Sequence, residues 1–300
     1  MQTEISIVLP TYNGEKKIPV LLNALKKQTI QNFEIIVMID GSTDRTHHLV
    51  ETFEAPFPVS VFNQANQGRA VIRNGGANKA RGDLLIFFDD DMEPSPDSVQ
   101  RHWQFHQDHE GLLCGNPVEV ESPLQSDVQN YKASLAKKWT EKYAPGLNPM
   151  NFENLFFTAG TFSVRKNTFK MLGGFDERLT DAEDYDLAYR ALEKNVSVFF
   201  DKDNLSIHHD RITCMSYVKR IRQYSKAHLK LAALHPNRVP IRTTGQSFIR
   251  KPFYFIFSFT FWIKLADGER LKALPKSWRY KIYDWIIFSF GFVFKERKLE

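Results

Sequence analysis

Short apolar runs alternate with helix-like stretches through the N-terminal part of the chain. The runs long enough to form buried strands are residues 5–9, 33–39, 59–62 and 84–88. Between them, residues 16–28 and 69–81 carry apolar or small side chains at helical spacing. Continuous apolar strands that alternate with helices are typical of a parallel sheet covered on both faces. The pattern therefore predicts an α/β fold in which a mostly parallel, Rossmann-like central sheet is covered by helices.

The alternation becomes less regular after residue 110, although further elements are predicted. Helical spacing marks residues 131–143, 182–194 and 217–234, and strand-like runs mark residues 156–164 and 196–200. Two local signals set helix ends: Thr43 is expected to cap a helix that follows Asp40-Gly41-Ser42, and Gly82 is expected to end the helix over 69–81. We divide the chain into a domain of residues 1–235 and a helical, aromatic and basic extension of residues 236–300.

Charge is distributed unevenly along the 300 residues. The net charge of +5 combines −9 over residues 1–210 with +14 over residues 211–300, and the stretch from Arg211 to Lys251 holds ten basic residues and no acidic one. Two charge-free aromatic blocks, 253–263 and 285–294, follow, and each is far shorter than the ~20 residues that a membrane-spanning helix needs. Basic stretches beside aromatic blocks favour attachment to an anionic membrane surface. Packing of the blocks as core, or as the contact of a homodimer, is the alternative.

The remaining composition indicates a cytoplasmic, globular protein. Cys114 and Cys214 lie in unrelated contexts, which gives neither a metal-site spacing nor a disulfide framework. Acidic Glu4 precedes the first strand-like run, so the pattern of a signal peptide is lacking. We therefore expect a location at the inner face of the cell membrane, with peripheral attachment, and no nucleic-acid partner.

Three consecutive carboxylates, Asp89, Asp90 and Asp91, follow the apolar run 84–88. Ligands of such sheets bind at the carboxyl ends of strands, where Asp40 also lies. Neighbouring carboxylates repel each other and are costly to desolvate unless a cation or a ligand compensates. Their oxygens suit Mg²⁺ or Mn²⁺, which in turn suit a diphosphate. Taken alone, the run favours a solvated acidic turn, and the rest of the chain reverses that preference.

A series of short motifs extends from the first strand to His208. In chain order they are Pro10-Thr11-Tyr12-Asn13, Asp40-Gly41-Ser42-Thr43-Asp44, Asn66-Gln67-Gly68, Arg73-Asn74, Ala80-Arg81-Gly82-Asp83, the Asp triplet with Pro94, Gly173-Gly174-Phe175-Asp176-Glu177, and Glu183-Asp184-Tyr185-Asp186-Leu187 with Arg190. Over residues 4–235 this ordered set resembles the family 2 glycosyltransferases of the GT-A fold. One departure is Ile39, which stands where the family often has an additional aspartate.

The resemblance implies a site for a nucleotide-sugar donor and for Mn²⁺ or Mg²⁺. The Asp triplet resembles the family's Asp-x-Asp motif. Asp91 would ligate the cation and Asp89 would contact the ribose, or the cation through water. Asp90 is grouped with the donor site without a separate role. His208 matches a position that can complete metal or diphosphate binding.

The resemblance also places donor-binding residues on other elements. Asp40 would bind the nucleotide base, on which Tyr12, two residues after Pro10, could stack. Arg73 could reach the diphosphate, although an arginine on a helix is more often a surface residue. Ala159 and Gly160 are small enough for a sugar to approach the backbone. We group all of these residues with the nucleotide-sugar site.

By the same resemblance, Asp184 is the general base of an inverting transfer, and Glu183 is the next candidate. Alone, acids at this place would be partners of a helix dipole. The predicted activity is metal-dependent transfer of a sugar, with a UDP-sugar favoured as donor, to a hydroxyl of a glycan or lipid-linked acceptor. One alternative is a sugar-phosphate nucleotidyltransferase, for which the segment 11–15 carries too few glycines. The other is a non-catalytic membrane-docking scaffold, which would be expected to lack Asp91 or Asp184.

Overall fold

The computed structural model describes residues 4–236, 238–239 and 250–299. The described parts of the chain form two compact units: Met1–Val118 with Thr140–His209, and Glu119–Trp139 with Asp210–Glu300. This division differs from the predicted boundary after residue 235. Arg242, which belongs to the basic stretch 211–251, lies outside the described residues.

Strands and helices alternate through the first unit. In chain order the elements are β1 Ile5–Thr11, α1 Ile18–Leu25, β2 Phe33–Asp40, α2 Thr46–Glu51, β3 Val59–Gln64, α3 Arg69–Lys79, β4 Leu84–Phe88, β5 Met92–Pro94, α4 Ser98–Asp108, β6 Leu112–Val118, α5 Asp127–Thr140 (nearly all of it in the second unit), β7 Leu147–Met150, β8 Thr161–Arg165, α6 Lys166–Leu172, α7 Glu183–Glu193 and β9 Val198–His208. The first four strands lie where the apolar runs predict them.

The strands form one mixed sheet in the order β3-β2-β1-β4-β8-β6-β9-β5, with β7 paired to β9. β3, β2, β1 and β4 are parallel, and Ile7 lies between Ile35 and Ile86. β8 is antiparallel to β4 and to β6. The short strand β5 is antiparallel to the end of β9 and pairs Met92 with His208. This last pairing brings the Asp triplet beside the end of β9.

Alternate residues of the parallel strands enter two apolar layers, one on each face of the sheet. Ile7 and Ile35 pack in a layer with Leu21 of α1. Val8 and Ile36 pack in the opposite layer, which contains residues of α3, α6 and α7. Since side chains of a strand alternate between its faces, burial of both sets explains why these strands are apolar without interruption.

Several element bounds differ from those predicted. β1 continues through Pro10, which is tolerated because β4 pairs with β1 only as far as Val8. Thr43 caps no helix, and its backbone N–H binds Asn13 Oδ1 at 2.9 Å, while α2 begins at Thr46. α3 ends at Lys79, because Ala80 is already extended, so Gly82 is not its end.

The second unit is helical, as predicted for the C-terminal extension. After α5 it contains α8 Cys214–Leu234, α9 Lys251–Ile256, α10 Thr260–Asp267, a 3₁₀ turn Arg270–Ala273, α11 Lys276–Phe288 and a π-helical turn Ser289–Val293. Tyr217 and Val218 of α8 share one apolar core with Ile263 of α10 and Tyr283 of α11. This shared core explains why α8 groups with the tail. Across the described residues, no helix combines the length and the hydropathy that crossing a bilayer requires.

Candidate active site

The Asp triplet occupies the turn between β4 and β5, and its three carboxylates contact three different partners. Asp89 binds Arg73, Asp90 binds Lys17, and Asp91 lies beside His208. The turn is closed by a hydrogen bond from the backbone N–H of Met92 to the carbonyl of Asp89, at 3.1 Å. The predicted meeting of three acidic side chains at a strand end is present, but each carboxylate has a different environment.

The carboxylate of Asp90 is buried inside the first unit. It accepts hydrogen bonds from Thr11 Oγ1 at 2.7 Å and from Lys17 Nζ at 2.9 Å. Burial raises the pKa of Asp90, and the Lys17 ammonium opposes this shift. Asp90 is therefore neither solvated nor presented to a ligand. These contacts support a structural role, in which it ties the triplet to β1 and to the start of α1.

Asp91 and His208 form the candidate metal site. Asp91 Oδ1 and His208 Nε2 are 3.5 Å apart, which is within the roughly 4.2 Å that two metal–ligand bonds of ~2.1 Å can span. The neighbouring chain is held by a 2.8 Å bond from the N–H of His209 to the carbonyl of Asp91. No group of three or more acidic, histidine or cysteine ligands occurs among the described residues. A pair of ligands fits a cation that takes its other ligands from water and diphosphate, as Mg²⁺ does.

Arg73 joins two of the predicted site residues in a buried ion-pair chain. Its side chain, on α3, donates from Nη2 to Asp89 Oδ1 at 2.5 Å and from Nη1 to Glu183 Oε1 at 2.6 Å. Burial alone would lower the pKa of Arg73, but the carboxylates of Asp89 and Glu183 outweigh it and raise the pKa. The guanidinium, only 3% exposed, bridges two carboxylates. Direct contact of this guanidinium with a diphosphate stays a prediction.

Asp184 and Glu183 lie at the start of α7 in different environments. Glu183 is 3% exposed and paired with Arg73, so its carboxylate is occupied. Asp184 is partly exposed and accepts hydrogen bonds from the N–H of Tyr185 at 2.8 Å and from that of Ala159 at 3.3 Å. Burial raises the pKa of Asp184 to about 7, and the charge of Glu183 adds to the shift. A carboxyl group with this pKa can accept a proton near neutral pH.

Gly160 lies where β8 approaches the Asp triplet. Its carbonyl accepts the N–H of Asp89 at 3.1 Å. A Cβ atom at Gly160 would lie 2.7 Å from Met92 Cε and 3.2 Å from Asp89 Oδ2. A side chain at this position would therefore displace the end of Met92 and press on the carboxylate of Asp89, whereas Ala159 uses its backbone N–H to hold Asp184. The close approach of a sugar to these two residues stays a prediction.

The predicted base-binding residues lie at the ends of β1 and β2. Asp40 accepts hydrogen bonds from Gln64 Nε2 at 3.0 Å and from the N–H groups of Gln67 and Gly68 at 2.9 Å. A carboxylate has about four acceptor positions, so one remains for a ligand. The ring of Tyr12 is 51% exposed, beyond Pro10 in β1. Stacking of a base on this ring stays a prediction.

Residues to which the sequence assigned no role hold the site together. Asn74 accepts the N–H of Phe175 at 2.9 Å and donates to its carbonyl at 2.9 Å, which fixes the Gly173-Gly174 turn to α3. Lys17 neutralises Asp90, although as one of two adjacent lysines before a helix it carried no sequence signal for this role. Arg69, exposed at the start of α3, binds Asp181 at 3.2 Å. Among these residues, Asn74 could have been found from the sequence, because it belongs to the Arg73-Asn74 motif. The two side chains of this motif bind residues of other motifs.

Comparison with known proteins identifies the family. The model of the family "Glycosyl transferase family 2" matches residues 6–172, more than half of the chain. The chain belongs to glycosyl transferase family 2. The enzyme class predicted from the motifs, a glycosyltransferase, is thereby confirmed.

Two curated relatives that the chain matches share less than a third of its residues over the aligned region. The chain is 27% identical over 265 residues to the uncharacterised glycosyltransferase YfnE of Bacillus subtilis, a match that covers 72% of this chain and 67% of that protein. It is 28% identical over 230 residues to validoxylamine A glucosyltransferase of Streptomyces hygroscopicus subsp. jinggangensis, covering 68% of this chain and 54% of that protein. The chain thus spans between about half and two thirds of the length of these relatives.

Solved structures share the fold. S. aureus TarS 1-349 in complex with UDP-GlcNAc has a TM-score of 0.56 at 19% identity, with 99% of this chain and 93% of that chain covered. The mannosyltransferase PcManGT from Pyrobaculum calidifontis, in complex with GDP-Man and Mn²⁺, has a TM-score of 0.61 at 15% identity, with 98% and 88% covered. The predicted GT-A-type fold with a helical C-terminal extension is confirmed.

Proposed function

We propose that this family 2 glycosyltransferase is an inverting, metal-dependent enzyme that uses a nucleotide-diphosphate sugar. The observation that carries the proposal is the carboxyl group of Asp184, whose pKa is raised to about 7 in the unit that also holds the Asp91–His208 pair. A general base needs a pKa near the working pH, and a cation site needs hard oxygen ligands beside the departing diphosphate.

In the proposed reaction, Asp184 accepts the proton of the acceptor hydroxyl as the hydroxyl oxygen attacks the anomeric carbon of the donor. The bond from this carbon to the diphosphate oxygen breaks, and the nucleoside diphosphate leaves with the bonding electrons. Attack and departure on opposite faces invert the anomeric configuration. Mn²⁺ or Mg²⁺, held by Asp91 and His208, would neutralise the charge on the diphosphate.

The other residues of the chain position these groups. Arg73 binds Asp89 and Glu183 at once, and so links the Asp triplet to the start of α7. The N–H of Ala159 aims one oxygen of Asp184. The rate of an enzyme falls steeply when its catalytic base is misplaced. These contacts therefore support transfer by holding Asp184 in position, without touching the substrate.

The proposed donor is a UDP-sugar, and the proposed acceptor is a hydroxyl of a glycan or of a lipid-linked sugar. TarS, solved with UDP-GlcNAc, supports the first choice. A match of 33% identity over 104 residues to an undecaprenyl-phosphate 4-deoxy-4-formamido-L-arabinose transferase supports the second, although it covers only 33% of this chain. The alternatives of a nucleotidyltransferase and a degenerate scaffold have no support from the relatives.

The decisive experiment separates donor binding from transfer. Thermal shifts of the full chain are measured with UDP-, GDP- and dTDP-sugars, with Mn²⁺ and with a chelator, since a ligand of the native state raises apparent stability. We expect Asp91→Ala to abolish the Mn²⁺-dependent shift while the fold, measured by circular dichroism, is unchanged. Asp108→Asn, an exposed carboxylate at the end of α4, is the matched control. A donor shift that Asp91→Ala leaves equally dependent on Mn²⁺ would refute the metal assignment.

Stereochemistry tests the reaction class. The anomeric configuration of the product formed from the donor selected above is determined by NMR. Inversion is expected for a single displacement, and retention would overturn the proposal.

A further inference from the structure

The second unit exposes a cluster of large apolar side chains. Phe253, Phe255, Ile256, Phe259 and Phe261 are 41%, 46%, 53%, 47% and 59% exposed. They lie within nine residues, on α9, at the start of α10 and on the turn between them. We call these five residues the aromatic surface. Contiguous exposed apolar patches on a folded unit mark interaction sites.

The aromatic surface is held in a defined conformation by the residues beneath it. Phe257 and Ser258, which lie between Ile256 and Phe259, are buried, and so is Ile263 in α10. Trp262 Nε1 donates to the carbonyl of Ile256 at 2.8 Å. The exposed side chains are therefore anchored by buried residues in the turn and in α10, whereas α9 itself buries none of its side chains.

Arg297 reinforces this arrangement from the C-terminal end. Its guanidinium lies 4.6 Å from the ring centroids of both Phe255 and Phe259. Its Nη1 donates to the carbonyl and to the hydroxyl of Ser258, both at 2.6 Å. Cation–π contacts of this kind keep the rings in place and add positive charge beside them.

Basic side chains flank the aromatic surface along the chain. Arg250 and Lys251 precede it and Lys264 follows it, and all three side chains are exposed. No acidic residue occurs from 250 to 266. The next one, Asp267, accepts hydrogen bonds from the N–H groups at the start of α8, so its charge is committed to that helix. The surface therefore offers apolar rings within a basic rim.

We propose that the aromatic surface inserts into the interface of a bilayer that contains anionic lipids, with the basic rim against the headgroups. Exposed rings favour the boundary between headgroups and acyl chains, and the rim favours negative lipids. A second copy of the chain is a poorer occupant, because a two-fold contact would place the basic rim of one copy beside that of the other. Since α9 and α10 are six and eight residues long, the attachment is peripheral.

The test uses the full chain, because removal of the tail would expose the apolar face of α8. Protein is sedimented with vesicles of phosphatidylcholine, with and without phosphatidylglycerol, at low and at high salt. We expect binding that requires phosphatidylglycerol and that weakens at high salt. No binding to either vesicle, or equal binding to both at every salt concentration, would overturn the proposal.

Two double variants separate the apolar and the electrostatic contributions. Ile256→Ser with Phe261→Ser should weaken binding at least about tenfold. Lys251→Glu with Lys264→Glu should weaken it at least about 30-fold, since each basic residue near an anionic surface contributes roughly fivefold. Should the first variant fail to fold, as judged by circular dichroism, the second still tests the proposal.

Matched controls change as many side chains elsewhere. Val120→Ser with Leu124→Ser removes two exposed apolar groups from the same unit, and Lys27→Glu with Lys138→Glu makes the same change in net charge. Both controls should bind within about twofold of the unsubstituted chain, a difference well below that of one basic residue. Losses as large as those of the test variants would refute a local site. The proposal would also be refuted if the unsubstituted chain bound no vesicles and light scattering showed it to be a dimer that Ile256→Ser with Phe261→Ser converts to a monomer. The proposal does not depend on transferase activity.

Discussion

Replacement of Asp184 by asparagine should abolish transfer and, at neutral and alkaline pH, relieve a cost to stability. The carboxyl group carries a pKa raised to about 7 from 3.8, because the surrounding protein withholds water from its ionised form and the charge of Glu183 adds to the shift. A group with a raised pKa in the folded state stabilises the fold fully below its unfolded pKa, and this contribution is lost as the pH rises through the folded pKa. An asparagine has no charge to bury, so it does not incur this loss.

The size of the effect follows from the shift. A change of about three pKa units corresponds to roughly 4 kcal/mol as an upper bound. Asp184 is partly exposed, so solvent screening reduces this to about 1–2 kcal/mol. The midpoint of thermal unfolding of the variant, relative to the unsubstituted chain, should therefore rise by roughly 2–6 °C between about pH 4 and about pH 8.

The stability assay follows thermal unfolding of both proteins across this pH range, with a chelator and without donor, so that no cation alters the pKa. The quantity compared is the difference in unfolding midpoint between the variant and the unsubstituted chain, and how this difference changes with pH. An effect of the substitution on packing that is the same at every pH cancels from this comparison. A difference that is the same at both ends of the range would refute the raised pKa.

The kinetic assay uses the same variant. Turnover should fall at least about 100-fold, while the affinity for donor changes less than about threefold, because a base acts on the acceptor. In the unsubstituted chain, kcat/KM should fall below a pH of about 7, where Asp184 becomes protonated. Near-normal turnover of the variant would refute the assignment of the base.

Three further predictions test the surrounding groups. Glu183→Gln should shift the acid limb of the kcat/KM profile to lower pH, since it removes a carboxylate beside Asp184. It should also lower the free energy of unfolding in urea by about 3–5 kcal/mol, since the buried Arg73 loses a counter-charge. Lys17→Met should destabilise the fold by about 1–3 kcal/mol at neutral pH, and less at acid pH, where a protonated Asp90 needs no cation; urea unfolding at two pH values measures this. His102→Gln should make stability fall less steeply between pH 6.5 and about 3. Burial lowers the pKa of this histidine to about 3, so within this range the histidine takes up a proton only in the unfolded protein. An unchanged slope of unfolding free energy against pH would contradict this prediction.

The sequence by itself determined best the strands whose side chains are buried along nearly their whole length. The strands β1, β2 and β4 are buried on both faces, so their apolar pattern is continuous and predicts them directly, whereas β3, at the edge of the sheet, is only partly buried. α4 was missed because its buried face includes His102 and His106, which both bind Ser163 at 2.9 Å and are polar in any sequence pattern. The antiparallel insertion of β8 beside β4 depends on pairing between distant segments, which local patterns do not specify.

That the three aspartates lie together was predictable, whereas the contact that each carboxylate makes was not. Consecutive aspartates after an apolar strand must lie together at its end, so the cluster is a local property. Which partner each carboxylate contacts is a property of the tertiary structure, since Lys17, Arg73 and His208 come from other elements. Only the fold shows that Asp90 is committed to an internal ion pair, and that Asp91 lies 3.5 Å from His208.

The same distinction applies to the start of α7 and to the tail. Two neighbouring acids, Glu183 and Asp184, are equivalent in the sequence, and burial against Arg73 separates them into a structural carboxylate and one with a raised pKa. In the tail, the aromatic blocks are visible in the sequence, but only packing decides that Phe257 is core and Phe261 is exposed. Charge, periodicity and strand ends are properties of contiguous residues, whereas pKa and exposure depend on neighbours that folding brings from elsewhere.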